Sequence, residues 1–490
     1  MRPAGAPADS GSRIHEDRDS RLLTLVRLEL FAGVLLSPLP FGAVTRTGVA
    51  AVELWATLLC ALVLVALFRD RASIPPRTKW AAAPFALLIC VLLLQLTAFP
   101  ASVAKLISPT LAEFRTQAGE MLGRPQLAWI PISYSLPDTF DAACRWIAYG
   151  MIGFSAAVTL RRPGHLRTAM LVVCLSASFQ ALYGAVEYLS GHHHIFGYAK
   201  KHYLDSATGT FINRNHFASY LAMGLPSAAA YWMIPSGDRQ RRDGWRNVLL
   251  GFARPERVGY LFALASAIVI VAGIFLSYSR GGLLAALLGC GLLATSRLVR
   301  RRRLLWVAAV FLVPALYLSW QELRPPGDRF LSPTQEYETL HGRVPVWRAA
   351  MAMTRDTSLL GTGFGTFEDA FRLYQPPDIR LRFDHAHNDW LQAWVEGGPL
   401  AVLLLAGLLW VLLFGDDGMS PLSLDSVRAT AGAGCGLLAV SFHSLFDFPL
   451  KIPAVAVLAA VYAGILAGNH TPWATAGRWN VERQRRGLRR

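Results

Sequence analysis

Apolar runs of about twenty residues recur along this chain, and short arginine-rich connections separate many of them. A helix needs roughly 20 apolar residues to cross the hydrocarbon core of a bilayer. The pattern therefore predicts an all-α polytopic membrane protein with about twelve transmembrane helices. We place these spans near residues 23–41, 48–68, 81–100, 139–160, 168–190, 211–234, 258–278, 281–299, 304–320, 397–414, 429–446 and 452–468.

Composition supports a membrane bundle rather than a soluble protein. The 490 residues are 53% hydrophobic and only 16% charged, whereas soluble domains are about a quarter charged. A net charge of +16 would suggest nucleic acid as the partner of a soluble protein. Here the cations lie mostly in short connections, without a basic face, so we expect a lipid bilayer and no nucleic acid. The six cysteines lie inside apolar runs without a CxxC pair, which indicates neither a disulfide framework nor a zinc site.

The distribution of arginine predicts the orientation of the bundle. Cytoplasmic connections collect Lys and Arg. The arginine-rich connections are 69–79, 161–167, 239–257 and 297–303, whereas 42–47, 279–281 and 447–451 carry one Lys or Arg each. Both termini are therefore expected in the cytoplasm. The expected organisation is a tail at 1–22, a membrane domain at 23–468 and a basic tail at 469–490.

A long segment, 321–396, separates the ninth and tenth predicted spans and is expected on the outer side. It is too charged and too rich in Gly and Pro to span a membrane. Helix-like stretches at 343–355 and 385–396 predict a folded cap, because a structureless loop of this length is uncommon.

Polar side chains that could carry chemistry collect on the same outer side. They are Arg214, Arg280, Arg343, Arg348, His387, Asn388, His443 and Asp447. Cations at membrane depth are costly and usually functional, and a guanidinium keeps its charge while it binds phosphate oxygens. His387 is a titratable group that can accept a proton from a hydroxyl near neutral pH. Together these side chains suggest attack by an acceptor hydroxyl on a lipid-linked diphosphate.

Less specific interpretations remain open for these residues. Each arginine could simply anchor a helix end, and Arg348 could pair with Glu368 or Asp369. His387 could cap a helix or make a buried hydrogen bond, or could join Asp384 and His385 in a metal site. The glycine-rich stretch 361–365 lacks the strand–helix context of a nucleotide loop, but its backbone N–H groups could bind an anion.

Several motifs, in this order along roughly 205–450, resemble the O-antigen ligase/polymerase superfamily of bacterial membrane glycosyltransferases. They are Gly209-Thr-Phe-Ile-Asn-Arg-Asn-His-Phe-Ala218, Ser279-Arg-Gly-Gly282, Arg343 with Trp347-Arg348, Leu360-Gly-Thr-Gly-Phe-Gly-Thr-Phe367, and His385-Ala-His-Asn-Asp-Trp-Leu391 through Glu396-Gly397. The first 200 residues resemble the family only as apolar spans.

The resemblance implies a metal-independent, inverting transfer of a glycan from undecaprenyl diphosphate at the periplasmic face of the bacterial inner membrane, without a cofactor. By the same resemblance, Arg214 and Arg280 hold the diphosphate, His387 activates the acceptor, and Arg343 adds an electrostatic contact. The acceptor would be lipid A core, a polysaccharide or another hydroxyl. A ligase and a polymerase both fit. A transporter or flippase, and a non-enzymatic scaffold, are the alternatives from other functional classes.

Overall fold

Apolar helices form most of the fold. The computed structural model describes residues 21–70, 72–123, 128–233, 255–295, 340–357, 359–377, 381–415 and 423–469. The helices there are α1 (Arg21–Leu36), α2 (Arg46–Arg69), α3 (Thr78–Leu96), α4 (Ala101–Ile107), α5 (Pro109–Met121), α6 (Leu136–Thr159), α7 (Pro163–Leu189), α8 (Arg214–Met233), α9 (Pro255–Leu276), α10 (Arg280–Thr295), α11 (Leu340–Asp356), α12 (Phe367–Phe371), α13 (Asp389–Phe414), α14 (Leu424–His443) and α15 (Pro453–Gly468). Short 3₁₀ turns lie at Phe41–Ala43 and Pro449–Lys451.

A helix lies at each predicted span except 304–320, which falls outside the described residues. By length and composition, five helices of the described part can cross a membrane: α2, α3, α7, the Val258–Leu276 part of α9, and α13. The chain is therefore a mostly helical membrane protein, and the total of twelve spans stays a prediction. The tail predictions at 1–22 and 469–490 lie almost entirely outside the described residues.

The outer faces of the bundle are apolar. Leu54 on α2 is 73% exposed, and Leu403 on α13 is 69% exposed. Large apolar side chains in such positions are unfavourable in water but favourable against lipid chains. These faces fit contact with the hydrocarbon core.

The core lies around α8, which packs against α7, α9, α10 and α14. Its Phe217 and Tyr220 are fully buried. Elsewhere small residues allow close helix contact: a Cβ added to Gly464 of α15 would lie 2.2 Å from the carbonyl oxygen of Gly153 on α6. Helices in membranes pack closely where small residues meet.

The connections carry two small antiparallel pairs and further helices. Strand β1 (Ala98–Pro100) pairs with β2 (Trp129–Pro131), and β3 (His194–Ile195) pairs with β4 (Tyr198–Ala199). Helix α11 confirms the helix predicted at 343–355.

The helix predicted at 385–396 is present, but it begins later than predicted. Helix α13 begins only at Asp389, because Asn388 caps it: the Asn388 side chain accepts a hydrogen bond from the Leu391 amide. The same element then continues to Phe414 and is interrupted only at Gly398, where φ is 71° and ψ is 179°. The predicted tenth span and the helix before it are thus one kinked element.

The glycine-rich stretch 361–365 connects three helices through hydrogen bonds. The amides of Thr362 and Gly363 donate to the carbonyl oxygens of Val395 and Glu396 on α13, each at 2.9 Å. The amide of Phe364 donates to Gln95 Oε1 of α3 at 3.1 Å. The Phe364 carbonyl accepts from Thr139 Oγ1 of α6 at 2.9 Å. The expectation that this stretch offers amides to an anion was therefore wrong for these three amides, because internal acceptors already use them.

Candidate functional site

A buried carboxylate, Asp447, joins three parts of the fold. It lies between α14 and α15 and is 1% exposed. Its Oδ2 accepts hydrogen bonds from Asn215 Nδ2 of α8 at 2.7 Å and from Arg343 Nη2 of α11 at 3.3 Å. The other terminal nitrogen of Arg343 donates to the Phe446 carbonyl. A carboxylate and a guanidinium are stable in such a place because each neutralises the other.

The second oxygen of the same carboxylate faces two imidazoles. Asp447 Oδ1 lies 3.5 Å from Nδ1 of His387 and 3.7 Å from Nε2 of His216. Burial alone raises the pKa of Asp447, but the Arg343 guanidinium and the two imidazoles hold that pKa well below its ordinary value of 3.8. Asp447 is therefore an anion at neutral pH.

Three histidine rings surround the side chain of Phe448. The ring centroids of His385, His216 and His387 lie 4.2, 4.7 and 4.8 Å from that of Phe448. Burial, followed by the nearby Lys451 cation, lowers the pKa of His385 to about 3. His385 is therefore neutral near pH 7, which leaves His387 and His216 as the imidazoles facing the Asp447 anion.

The backbone holds His387 in an uncommon conformation. Its φ is 49°, in the left-handed region that non-glycine residues rarely adopt. Its Nδ1 is buried without a hydrogen-bond partner, although the whole side chain is 19% exposed. The exposed area therefore belongs to the rest of the ring. With Nδ1 turned towards Asp447, Nε2 is left as the atom that can take a proton from a neighbouring molecule.

The two outer arginines of the membrane helices stand at helix starts. Arg214 is the first residue of α8, next to Asn215, and its Cζ lies 5.4 Å from the centre of the Tyr203 ring. Arg280 is the first residue of α10 and is exposed. A cation at a helix start adds to the positive end of the helix dipole, so each position favours an anion.

The starts of α8 and α10 meet at His443, the last residue of α14. His443 Nδ1 lies 2.6 Å from Ser219 Oγ of α8, and its side chain is buried. A Cβ added to Gly281 of α10 would lie 2.6 Å from His443 Nε2, so only glycine fits there. Since Asp447 follows His443 by one turn, Arg214, Arg280 and the Asp447 carboxylate belong to one end of the bundle.

The structure brings some of the predicted residues together and leaves others apart. Arg343 and His387 each contact Asp447, whereas His443 packs between helices and Asn388 caps α13. Arg348 is exposed on α11. Its proposed partner Glu368 instead bonds Arg372 at 2.7 Å and also contacts Arg382.

A metal site finds no support in the described part of the chain. No group of three or more His, Cys, Asp or Glu side chains there is arranged to hold a metal ion. In the Asp384–His387 stretch, His385 Nδ1 lies 3.2 Å from the amide nitrogen of Gln392, and Asp384 is exposed.

Sequence reasoning missed Asn215 and His216 as members of this site. Both directly follow Arg214, and the first turn of a helix places consecutive side chains around its open end. Their proximity to a motif arginine was the available signal. Their shared partner, Asp447, is 232 residues away from Asn215 in the chain, and no local pattern points to it.

A comparison with known protein families matches one part of the chain. The family model described as O-Antigen ligase matches residues 265–406. That range contains Arg280, Arg343 and His387. No curated protein matches the chain. Residues 265–406 are therefore similar to the O-antigen ligase family, and this match supports the resemblance of the chain to the O-antigen ligase/polymerase superfamily.

Proposed function

We propose that this membrane protein transfers a glycan from an undecaprenyl-diphosphate-linked donor to an acceptor hydroxyl, as an O-antigen ligase does, at the periplasmic face of the bacterial inner membrane. The observation that carries the proposal is the contact of His387 with the buried Asp447 anion, at the end of the bundle where Arg214 and Arg280 begin their helices.

His387 acts as the general base. Its Nε2 takes the proton of the acceptor hydroxyl while Asp447, 3.5 Å from Nδ1, stabilises the imidazolium that forms. The acceptor oxygen forms a bond to the anomeric carbon of the donor sugar. The bond from that carbon to the diphosphate oxygen breaks, and the electron pair leaves with the diphosphate. A single displacement of this kind inverts the anomeric carbon.

Arg214 and Arg280 bind the diphosphate. Negative charge grows on the leaving oxygen during the displacement, and fixed cations that face it lower the barrier. Two guanidiniums that keep their charge at any physiological pH supply this stabilisation without a metal ion. Arg343 contributes at a distance, because it is buried against Asp447 and fixes the anion that orients His387.

The remaining predicted residues divide by their exposure. Arg348 is exposed and is proposed to contact the donor or acceptor glycan. Asn388 and His443 contribute indirectly, by stabilising the helices around the site. Asn388 caps α13, and His443 packs between α8 and α10. Lipid A core, a polysaccharide end or another hydroxyl can serve as acceptor in this chemistry.

The test uses purified protein in lipid nanodiscs with a labelled undecaprenyl-diphosphate glycan and a panel of acceptors. His387→Ala is expected to lower transfer by about 10²-fold or more. Arg280→Lys is expected to raise the KM for the donor, because an ammonium cannot form two parallel bonds to a diphosphate. His202→Ala, an exposed histidine of another loop, is the matched control and keeps full transfer. Full transfer by His387→Ala at normal protein levels rejects the proposal.

The acceptor panel also distinguishes a ligase from a polymerase, and a flux measurement without acceptor distinguishes both from a transporter. A ligase transfers the glycan to lipid A core, whereas a polymerase extends a second lipid-linked glycan. Movement of the donor across proteoliposomes without acceptor and without a transferred product favours a transporter instead.

A further inference from the structure

The residue before His387 is held by side chains on both of its backbone polar groups. The Ala386 amide donates to Gln392 Oε1 at 3.1 Å, and the Ala386 carbonyl accepts from Trp347 Nε1 at 2.8 Å. Ala386 itself is fully buried. The Ala386 carbonyl belongs to the peptide group whose orientation sets φ of His387. Trp347 on α11 therefore fixes that peptide, and Gln392 on α13 fixes the preceding His385–Ala386 peptide.

Gln392 is in turn fixed by a chain of polar contacts. Its Nε2 donates to Glu396 Oε1 at 2.7 Å. The other oxygen of Glu396, which is fully buried, accepts from Lys451 Nζ at 2.9 Å. The sequence of contacts runs from Lys451 through Glu396 and Gln392 to Ala386. A buried network in which each member has a partner is rigid, because breaking any contact leaves an unsatisfied polar group.

A left-handed conformation at a residue such as His387 persists only when its surroundings over-determine it. The two hydrogen bonds on Ala386 supply that constraint. The contact with Asp447 orients the imidazole of His387, but it does not constrain the backbone conformation of His387.

We propose that Gln392 and Trp347 are positioning residues, which hold the two peptide groups on either side of Ala386 so that the His387 imidazole faces both Asp447 and the acceptor. This inference rests on the proposed function, since it assigns the role through His387. Glu396 accepts a hydrogen bond from Gln392 and another from Lys451, so these two residues fix the position of the Gln392 side chain.

Two variants test the proposal, one at each of the two peptide groups that flank Ala386. Gln392→Met keeps the side-chain length but removes the acceptor for the Ala386 amide. Trp347→Phe keeps an aromatic ring but removes the donor to the Ala386 carbonyl. Each is expected to lower kcat by about 10-fold to 100-fold, because small misplacements of a reacting group cost this much. The KM for the donor is expected to change by less than about threefold, because the diphosphate contacts are separate. Gln117→Met, on the exposed side of α5, is the control and keeps full activity.

A second measurement distinguishes positioning from a general structural role. His387→Gly with added imidazole receives its base from solution, so it no longer depends on the Ala386 peptide. Gln392→Met in this background is expected to change the imidazole-supported rate by less than about twofold, since the two substitutions act on one step. A further 10-fold loss in this background overturns the proposal, because Gln392 would then support more than His387.

The outcomes also separate this inference from the proposed function. Full kcat in both Gln392→Met and Trp347→Phe, with His387→Ala inactive, rejects the positioning role alone. Full transfer by His387→Ala rejects the proposed function, and the positioning role with it.

Discussion

Nδ1 of His387 and Oδ1 of Asp447 lie 3.5 Å apart, although His387 belongs to the segment before α13 and Asp447 follows α14. The carboxylate is buried, and Arg343 shares it from the opposite side. In the proposed mechanism this buried anion compensates the positive charge that the ring acquires when it accepts the acceptor proton. The same contact orients the ring, so one carboxylate serves both the stabilisation of that charge and the direction of the base.

Replacement of Asp447 by asparagine tests this dual role in catalysis. An amide is close in shape but carries no charge, and it can favour the wrong tautomer of the imidazole. We expect Asp447→Asn to lower kcat by about 10²-fold to 10⁴-fold, the range typical of losing a carboxylate that orients a catalytic histidine. Single-turnover transfer with the labelled donor measures the effect. An unchanged rate would show that His387 does not depend on Asp447.

The same variant has a defined effect on stability against pH. The folded-state pKa of Asp447 is lower than its ordinary value of 3.8. Its ionised form is therefore favoured by the folded state, and this contribution is fully present above about pH 4 and is lost as pH falls through the folded-state pKa. We expect the difference in Tm between the native protein and Asp447→Asn to be largest near neutral pH and to narrow below about pH 4. A difference that does not vary with pH contradicts the assignment.

Arg343 and Arg348 lie on the same helix in opposite environments, and the pair makes a matched comparison. Arg343→Met leaves the buried Asp447 charge without its guanidinium, and removing one partner of a buried ion pair costs about 3–5 kcal/mol. Arg348→Met removes an exposed cation, and the free energy of unfolding should change by less than about 0.5 kcal/mol. Thermal unfolding in detergent measures both. Equal shifts in the two variants would place the two arginines in equivalent settings.

Alanine substitution is expected to change the stability of the fold in opposite directions at Gly361, in the glycine-rich stretch, and at Gly119, in α5. Gly361 has φ of 71°, and a Cβ added there would lie 2.4 Å from the backbone carbon of Glu396. We expect Gly361→Ala to destabilise the fold by more than about 2 kcal/mol, through both strain and displacement of α13. Gly119 of α5 has nothing within 4 Å of its added Cβ. Gly119→Ala should stabilise α5 by about 0.5–1 kcal/mol. Differential scanning fluorimetry compares the two, and a neutral Gly361→Ala would argue against this loop geometry.

Much of the helical framework could be predicted from the sequence, because span length and apolar content are local properties. The runs at 48–68 and 258–278 correspond closely to α2 and α9. The start of α13 could not be placed, since the stretch from His385 to Glu396 has helical spacing throughout. The Asn388 cap and the left-handed His387 decide where the helix begins.

The site could be predicted only in part. Arg343, His387 and Asp447 carry charge or titrate, so each was a candidate by residue type alone. Their mutual contacts and the roles of His216 and Gln392 arise from pairing between distant elements. The sequence pattern of one helix does not show which residue of another helix it contacts. These contacts can therefore be identified only from the three-dimensional structure.

Gln95 of α3 shows that the family-matched region depends on a helix that lies outside it. Its amide nitrogen donates to the carbonyl oxygens of Leu360 and Glu396, and its oxygen accepts from Phe364. The neutral side chain of Gln95, from the first third of the protein, thus connects the glycine-rich stretch to α13 within the family-matched region. A chimera that grafted residues 265–406 onto unrelated leading helices would carry Arg280, Arg343 and His387 but would lack this anchor, so α3 must be exchanged together with the family-matched region.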